Sequence, residues 1–204
     1  PKLENPQMFR LLAGDIKNAI EQVAFVASAN ISRPVLTGTL WKFDGKILKI
    51  VATDSYRLAE KTIELMEEMP KISFIVPART AVELGKILAS IEDQNLELYF
   101  SSNQIMFKIA GVELVSRLIE GSYPDYEKIL PASSKTSGKV KLDQFVLALK
   151  KLSIIVRENN NNVKLKLENE KVAIYSEETQ VGKGSAEIDA EVTGEKAEVS
   201  LNVQ

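Results

Sequence analysis

Three stretches of the sequence have apolar residues at the spacing of an amphipathic α-helix, and each follows a short apolar segment typical of a strand. The first predicted helix covers about 15–28, and Asp15 is predicted to cap its first free N–H groups. The second covers 78–89 and begins after Pro77, because the opening turn of a helix needs no proline N–H. The third begins at Asp143, also predicted as a cap.

The helix starts recur at a constant interval, since Asp15, Arg79 and Asp143 are each 64 residues apart. Each helix is followed by three segments in which apolar and polar residues alternate, as in strands with one buried face. Asp44-Gly45 is predicted to form a hairpin turn within the first set, because both residues tolerate a positive φ. The pattern therefore predicts a repeated βαβββ unit.

The strands predicted by this repeat form antiparallel sheets. They cover 8–13, 36–43, 47–53, 56–65, 72–77, 96–100, 105–109, 112–119, 138–142, 163–167, 172–175 and 182–188. A fourth copy of the unit begins at 197–203 and is not followed by a helix. We therefore expect the sequence to be a fragment of a longer protein.

The repeat also predicts the domain organisation. Two βαβββ units are expected to form one α+β domain, with two helices side by side on one face of the sheets. A turn-rich stretch at 123–126 marks the predicted boundary. Residues 1–126 are then one complete domain, and residues 127–204 belong to a second, incomplete one.

The composition excludes several kinds of functional site. Of 204 residues, 45% are hydrophobic and 26% charged, the mixture of a globular protein, and the net charge of -2 does not indicate a tight nucleic-acid binder. The absence of cysteine and histidine excludes thiolate nucleophiles, the commonest general base and the commonest zinc ligands. No apolar run approaches the ~20 residues that cross a bilayer, so a cytoplasmic protein without membrane contact is expected.

The remaining candidate chemistry does not indicate an enzyme. The glycine spacing of residues 181–185 does not match a phosphate-binding loop. Carboxylates at Glu177, Glu178, Glu187, Asp189 and Glu191 are expected to be a solvated surface. A carboxylate-based hydrolase remains an alternative if two acids converge in a cleft. We predict no catalytic residue, no metal and no cofactor.

Four stretches together resemble one family. They read PVLTG at 34–38, VATDSYRLA at 51–59, IVPAR at 75–79 and LIEGSYPDY at 118–126. In combination they resemble the bacterial β sliding clamp, the processivity subunit of DNA polymerase III. The resemblance covers essentially the whole chain, with the first predicted domain similar to the family's second and the remainder similar to the first part of its third.

The resemblance implies an α+β DNA clamp fold, with two βαβββ units per domain, helices lining the inside of a ring and antiparallel sheets outside. It implies a head-to-tail homodimer that encircles duplex DNA without sequence preference and is opened by a clamp loader. Such a ring needs no strong phosphate contacts, which agrees with the weak net charge. This chain alone is expected to be monomeric. An ordinary β-rich interaction domain without a DNA role is the alternative, and it would lack clustered positive charge on its helices.

Two sets of site residues follow from the resemblance. The side chains implied to face DNA are Lys17, Asn30, Arg33, Arg79, Lys86, Lys150, Lys151, Arg157, Asn160 and Asn161. For any single lysine of this set, a solvated helix surface is an equally compatible interpretation.

The second set lines a hydrophobic pocket between the second and third domains. In this family the pocket takes a short clamp-binding motif, roughly Gln-Leu-x-Leu-Phe, from the polymerase III catalytic subunit, the clamp loader and repair polymerases. The implied lining is Leu36, Thr53, Ser55, Tyr56, Arg57, Leu58, Pro124, Lys128 and Ile129. Arg57 would offer its stem as apolar surface and its head as a donor. Core packing is the alternative role for Leu36 and Leu58.

Overall fold

A computed structural model of the chain describes residues 7–91, 95–158, 160–177 and 182–203. The chain divides into two units, Pro1–Asp125 and Tyr126–Gln204, called unit 1 and unit 2 below. Every strand pair in the described ranges is antiparallel. This agrees with the predicted α+β class of antiparallel sheets combined with helices.

Unit 1 has two α-helices and two sheets within the described residues. The helices are α1 (Ala13–Val23) and α2 (Ala78–Ala89). The strands are β1 (Gln7–Leu12), β2 (Gly38–Thr53), β3 (Leu58–Pro77), β4 (Asn95–Phe100), β5 (Gln104–Ile109) and β6 (Val112–Arg117). One sheet has the order β1-β4-β5-β6, and β2 pairs with β3 in the other. Short 3-10 helices cover Ala24–Val26 and Pro34–Thr37.

The two helices of unit 1 lie side by side, as the repeat predicts. Ile16 and Ile20 of α1 and Leu84 and Leu88 of α2 are buried in one hydrophobic cluster. Gly85 allows the helices to approach closely, because a Cβ atom there would lie only 3.2 Å from Cγ2 of Ile20. The apolar sides of both helices are therefore covered by each other and by β2 and β3.

Aromatic rings fill the centre of the same cluster. The Trp41 ring centroid lies 5.6 Å from that of Phe107 and 6.4 Å from that of Phe74. Trp41 is fully buried, and its indole Nε1 donates to Oγ1 of Thr39 at 3.0 Å. The Thr39 hydroxyl donates in turn to the Val76 carbonyl oxygen at 3.3 Å. The buried indole N–H is thus satisfied inside the core, as an enclosed tryptophan requires.

Unit 2 has one α-helix and one sheet within the described residues. The helix is α3 (Leu142–Ile155), and short 3-10 helices cover Tyr126–Ile129 and Val156–Glu158. The strands are β7 (Thr136–Val140), β8 (Asn162–Glu168), β9 (Lys171–Tyr175), β10 (Ser185–Gly194) and β11 (Ala197–Asn202). The sheet order is β11-β8-β9-β10-β7. Its buried core is aliphatic and joins Ala148, Leu152, Val156, Val163, Leu165, Val172, Ile174 and Ile188.

Two tight hairpin turns form at the positions that the sequence predicts. Ala110 and Gly111, between β5 and β6, have φ values of 47° and 79°. Asn169 and Glu170, between β8 and β9, have φ values of 51° and 61°. Two consecutive positive φ values are what a two-residue hairpin turn requires, so these predicted strand pairs and their turns are confirmed.

The predicted hairpin at Asp44-Gly45 is wrong. β2 continues through it, and Gly45, with a φ of 61°, lies opposite Met69 of β3 between two register shifts. β3 is likewise one long strand that joins the predicted strands 56–65 and 72–77. The positive φ of Gly45 therefore makes a β-bulge, which bends a continuing strand instead of reversing it.

The predicted helix caps are also wrong. The residues preceding the helices are Leu12, Pro77 and Lys141, and none of them caps its helix with a side-chain hydrogen bond. Asp15 and Asp143 lie inside the first turns of α1 and α3, where a carboxylate is favoured by the helix dipole. The helix starts are separated by 65 and then 64 residues, and β7 ends at Val140 because α3 begins earlier than predicted.

Candidate functional site

The turn between β2 and β3 is organised by the side chain of Asp54. Its Oδ1 accepts hydrogen bonds from the backbone N–H groups of Tyr56 and Arg57, both at 2.9 Å, and its Oδ2 accepts from Nε of Arg57 at 3.0 Å. The Thr53 hydroxyl donates to the Arg57 carbonyl oxygen at 2.8 Å. These bonds hold Ser55 at a φ of 82°, a conformation that a non-glycine residue rarely adopts.

The same contacts set the charge of Asp54. Partial burial raises the pKa of its carboxyl group, but hydrogen bonds from the Arg57 and Tyr56 amides and the Arg57 guanidinium lower it by more. The pKa of Asp54 therefore lies below its ordinary value of 3.8, and the turn carries a fixed carboxylate at neutral pH.

Residues from three other parts of unit 1 contact this turn. The phenol oxygen of Tyr123 accepts the Thr53 backbone N–H at 3.0 Å. Arg33 donates from Nη1 to Oγ of Ser55 at 3.1 Å, and the Arg57 guanidinium lies 5.8 Å from the centre of the Phe25 ring. Burial raises the pKa of Tyr123 to about 12, although its hydrogen bond with Thr53 opposes that increase.

The segment 118–123 contacts all three of the other family-like stretches. Ile119 donates its N–H to the Ile75 carbonyl oxygen at 2.9 Å. Gly121 has a φ of 122°, and a Cβ atom there would lie 2.8 Å from Cγ1 of Val35. Together with the bond from Thr53 to Tyr123, these contacts bring the four stretches together within unit 1.

The predicted pocket residues of unit 1 occupy this region. Thr53 pairs with Leu58 across the β2–β3 turn that also carries Ser55, Tyr56 and Arg57. Leu36 is buried in the adjacent 3-10 helix, Leu58 is half-buried and Pro124, which follows Tyr123, is exposed. Tyr56 is 98% exposed, so its ring projects away from the unit.

The two remaining pocket residues, Lys128 and Ile129, belong to unit 2. They lie in the 3-10 helix Tyr126–Ile129 and are exposed. Sequence reasoning missed Phe25, and it assigned no site role to Asp54 and Tyr123 although both lie in the family-like stretches. Only Asp54 carries a local signal, because an aspartate followed by small or polar residues is typical of a side-chain-capped turn.

The predicted DNA-facing residues on the helices are accessible. Lys17 lies 4.0 Å from Glu21 on α1, and Lys86 lies 2.9 Å from Glu83 on α2. The exposed residues Arg79, Lys150 and Lys151 form no ion pair within the described part of the chain. Acidic neighbours therefore accompany the lysines of α1 and α2, while α3 carries two adjacent uncompensated charges.

The predicted DNA-facing residues in the loops have mixed roles. Arg33 points to Ser55 of the β2–β3 turn, and Asn30 accepts the Ser32 backbone N–H at 2.9 Å with its own side chain. Asn160 and Asn161, with φ values of 48° and 58°, form the turn that leads from α3 into β8. Arg157 is exposed just before that turn.

Three of the five predicted surface carboxylates of unit 2 pair with lysines across the sheet. Glu177 lies 2.8 Å from Lys164, Glu187 lies 3.2 Å from Lys171, and Glu191 lies 3.6 Å from Lys139. Hydrogen bonding to Lys164 lowers the pKa of Glu177, the opposite of what a general acid needs. No acidic cluster able to hold a metal ion occurs among the described residues; Glu178 and Val181 lie outside them.

No helix in the described ranges combines the length and the apolar character that crossing a membrane requires.

A pair of helices covers antiparallel sheets in unit 1, which is the architecture of the DNA clamp fold. The sliding clamp of Bacillus subtilis matches the structure with a TM-score of 0.91 and 32% identity, over 100% of this chain and 54% of that one. The DNA polymerase III beta chain of Streptococcus pneumoniae matches with a TM-score of 0.91 and 30% identity, over the same shares.

Sequence comparison identifies the family. The family model described as "DNA polymerase III beta subunit, central domain" matches residues 11–125, and the one described as "DNA polymerase III beta subunit, C-terminal domain" matches residues 127–204. The chain belongs to the DNA polymerase III beta subunit family. The beta sliding clamp of Staphylococcus epidermidis is 33% identical over an alignment 204 residues long that covers 99% of this chain and 54% of that protein. The chain thus spans about half the length of this relative, and the predicted family and fold class are confirmed.

Proposed function

We propose that this chain is the central and C-terminal part of a DNA sliding clamp, a ring-shaped processivity factor that encircles duplex DNA and tethers DNA polymerase III and other replication and repair proteins. The observation that carries the proposal is the consecutive match of two clamp-domain models, over residues 11–125 and 127–204. The role is non-catalytic and cytoplasmic, and it needs no cofactor. The ion-paired carboxylates of unit 2 support this against a hydrolase.

The proposed contact with DNA is electrostatic and independent of sequence. A protein held by encirclement slides only if its contacts with the phosphates are weak, because many strong contacts would bind it tightly at one place on the DNA. Exposed cations on the helices, including Arg79, Lys150 and Lys151, suit this role. Acidic partners next to Lys17 and Lys86 reduce the local positive charge, which favours sliding over static binding. Arg157, Asn160 and Asn161 remain proposed DNA contacts, whereas Arg33 is better placed at the peptide site.

The proposed docking site for partner proteins includes the β2–β3 turn of unit 1. Apolar side chains of a clamp-binding motif would contact the half-buried Leu58 and the exposed Pro124, in the manner of a few anchors that dominate an interface, whereas Leu36, 3% exposed, offers them little surface. Asp54 gives the turn a single backbone geometry before the peptide arrives. A preformed turn loses little conformational entropy on binding.

The proposed domains are residues 1–126 as the complete central clamp domain and residues 127–204 as part of the third. A full-length clamp would close as a head-to-tail homodimer, and the present chain would be a monomer. Sedimentation equilibrium of the purified chain measures this directly. A stable dimer of ring size would contradict the proposed domain assignment.

Fluorescence polarisation with a labelled Gln-Leu-Ser-Leu-Phe peptide tests the docking site. We expect the chain to bind this peptide, because Leu58 and Pro124 offer it apolar contacts beside the ordered β2–β3 turn. Leu58→Ala should weaken binding, since it removes a half-buried apolar wall. Met66→Ala, which truncates a 76% exposed side chain of β3 outside the site, is the matched control. Equal binding by wild type and Leu58→Ala would remove the assigned site.

A further inference from the structure

Phe25 is an aromatic residue in an unusual setting for unit 1. It lies in the 3-10 helix that follows α1, and 64% of its surface is exposed, whereas the rings of Trp41, Phe74 and Phe107 are buried. Its ring is covered on one side by the guanidinium of Arg57, at 5.8 Å from the ring centre. The interaction joins the end of the α1 region to the β2–β3 turn.

Arg57 is held by two different groups. Nε donates to Oδ2 of Asp54 at 3.0 Å, which fixes one edge of the guanidinium. The ring of Phe25 lies against one face of it, within the ~6 Å range of a cation–π interaction. An edge contact and a face contact together define the orientation of a planar group, which neither does alone.

This orientation leaves the two Nη groups as donors for a ligand. An arginine side chain has considerable rotamer freedom, and holding it in place before binding removes part of the entropy cost. Arg57 is one of the residues proposed to line the peptide site, so its geometry bears directly on partner recognition.

We propose that Phe25 is a positioning residue of the partner-peptide site, which presents the Arg57 guanidinium to backbone carbonyl oxygens of a docked peptide. This inference rests on the proposed docking function. Phe25 acts through Arg57, so its effect depends on the presence of the guanidinium. If Phe25 contacted the peptide itself, its effect would persist without the guanidinium.

A double-mutant cycle measured by fluorescence polarisation with the labelled Gln-Leu-Ser-Leu-Phe peptide separates these roles. Phe25→Leu should weaken binding about two- to fivefold, the size of an exposed cation–π interaction, and Phe25→Tyr should retain wild-type binding because the ring remains. In an Arg57→Met background, Phe25→Leu should have no further effect. Met66→Leu, at another exposed apolar position of unit 1, should bind like wild type.

The outcomes distinguish this inference from the proposed function. Wild-type binding that is unchanged by Phe25→Leu, or a loss that persists in the Arg57→Met background, overturns the positioning role and leaves the docking site intact. Absence of binding by the wild-type chain overturns both. NMR of the free chain gives an independent reading, because the Arg57 δ-methylene protons should show an upfield ring-current shift that Phe25→Leu abolishes.

Discussion

Unit 1 and unit 2 both place a helix after a strand, but the outward sides of the two helices differ. Counted from the residues that precede the helices, Asn18 of α1 corresponds to Leu147 of α3. Leu147 is 54% exposed, and Ile154 of α3 is 65% exposed. The position of Asn18 and Leu147 is thus exposed in both helices but polar in α1 and apolar in α3, whereas Ile154 corresponds to Phe25, which is also exposed and apolar. The comparison teaches that the exposed side of α3 carries large apolar residues, whereas that of α1 carries none.

The cores of the two units also differ in composition. Unit 1 buries Trp41, Phe43 and Phe107 among aliphatic side chains, whereas the buried core of unit 2 is aliphatic throughout. Aromatic side chains bury more surface per residue and make specific ring contacts. Single truncations should therefore have the largest effect in unit 1.

Phe107→Ala should produce the largest loss, about 3–5 kcal/mol in the free energy of unfolding, because it leaves a cavity beside Trp41. Trp41 is the only tryptophan of the chain, so its fluorescence during urea unfolding reports on unit 1 alone. Met66→Ala should change the same transition by less than about 0.5 kcal/mol, since that side chain is 76% exposed. A similar loss for both variants would show that the aromatic cluster is not the centre of stability.

Two substitutions on α3 test the division of that helix into a buried and an exposed side. Leu152→Ala removes a side chain that is 2% exposed and should cost about 2–5 kcal/mol. Leu147→Asn places in α3 the residue found at the equivalent position of α1 and should change stability by no more than about 0.5 kcal/mol. Circular dichroism during urea unfolding measures both. A large loss for Leu147→Asn would mean that this side of α3 is covered.

Gly85→Leu tests the pairing of α1 and α2. A side chain at this position meets Ile20 of the neighbouring helix, so we expect a loss of about 1–3 kcal/mol from overpacking, despite the better helix propensity of leucine. Gly14→Ala is the matched helix-glycine control, since a Cβ atom there has no neighbour within 4 Å, and it should stabilise unit 1 by up to about 1 kcal/mol. The fluorescence transition of Trp41 reports both variants. Stabilisation by Gly85→Leu would contradict the close approach.

The fold was predictable wherever a local pattern has one structural meaning. Helix α2 and the hairpin at Ala110-Gly111 follow directly from periodicity and turn chemistry. The prediction failed at Asp44-Gly45, because a positive φ at glycine serves a hairpin turn and a β-bulge equally well. It failed at Asp15 and Asp143 because a carboxylate is favoured both as a cap and inside the first turn.

The candidate site was likewise predictable only in part from the sequence. Residues of the β2–β3 turn are contiguous in sequence, so the family-like stretch names them together. Phe25 and Tyr123 reach that turn through tertiary contacts from distant parts of the chain, at 5.8 Å and 3.0 Å. Phe25 lies outside the four family-like stretches, and Tyr123 lies within one of them, but neither position indicates in sequence a contact with the turn. Arg33 was assigned to DNA on sequence grounds, and its hydrogen bond to Ser55 emerges only in three dimensions.

Tyr123 offers the test with the smallest expected effect, because it acts through the ionisation of one half-buried phenol in unit 1. Folding raises the pKa of Tyr123 from 10.0 to about 12, so folding favours the neutral phenol. Its stabilising contribution is therefore complete below pH 10.0 and is lost as the pH rises towards about 12. The stability of unit 1, followed by Trp41 fluorescence, should fall across this range.

Tyr123→Phe isolates that contribution. At neutral pH it should lower the free energy of unfolding of unit 1 by about 1 kcal/mol, since the Thr53 N–H loses its acceptor. Above pH 10.0 the variant should lose stability less steeply than wild type, because the ionising group is gone. Tyr56→Phe, which alters a 98% exposed ring of the adjacent turn, should keep the wild-type pH profile. Parallel profiles for wild type and Tyr123→Phe would show that the phenol is not held neutral by the fold, and the bond from Thr53 would then not anchor the segment 118–123 to the β2–β3 turn.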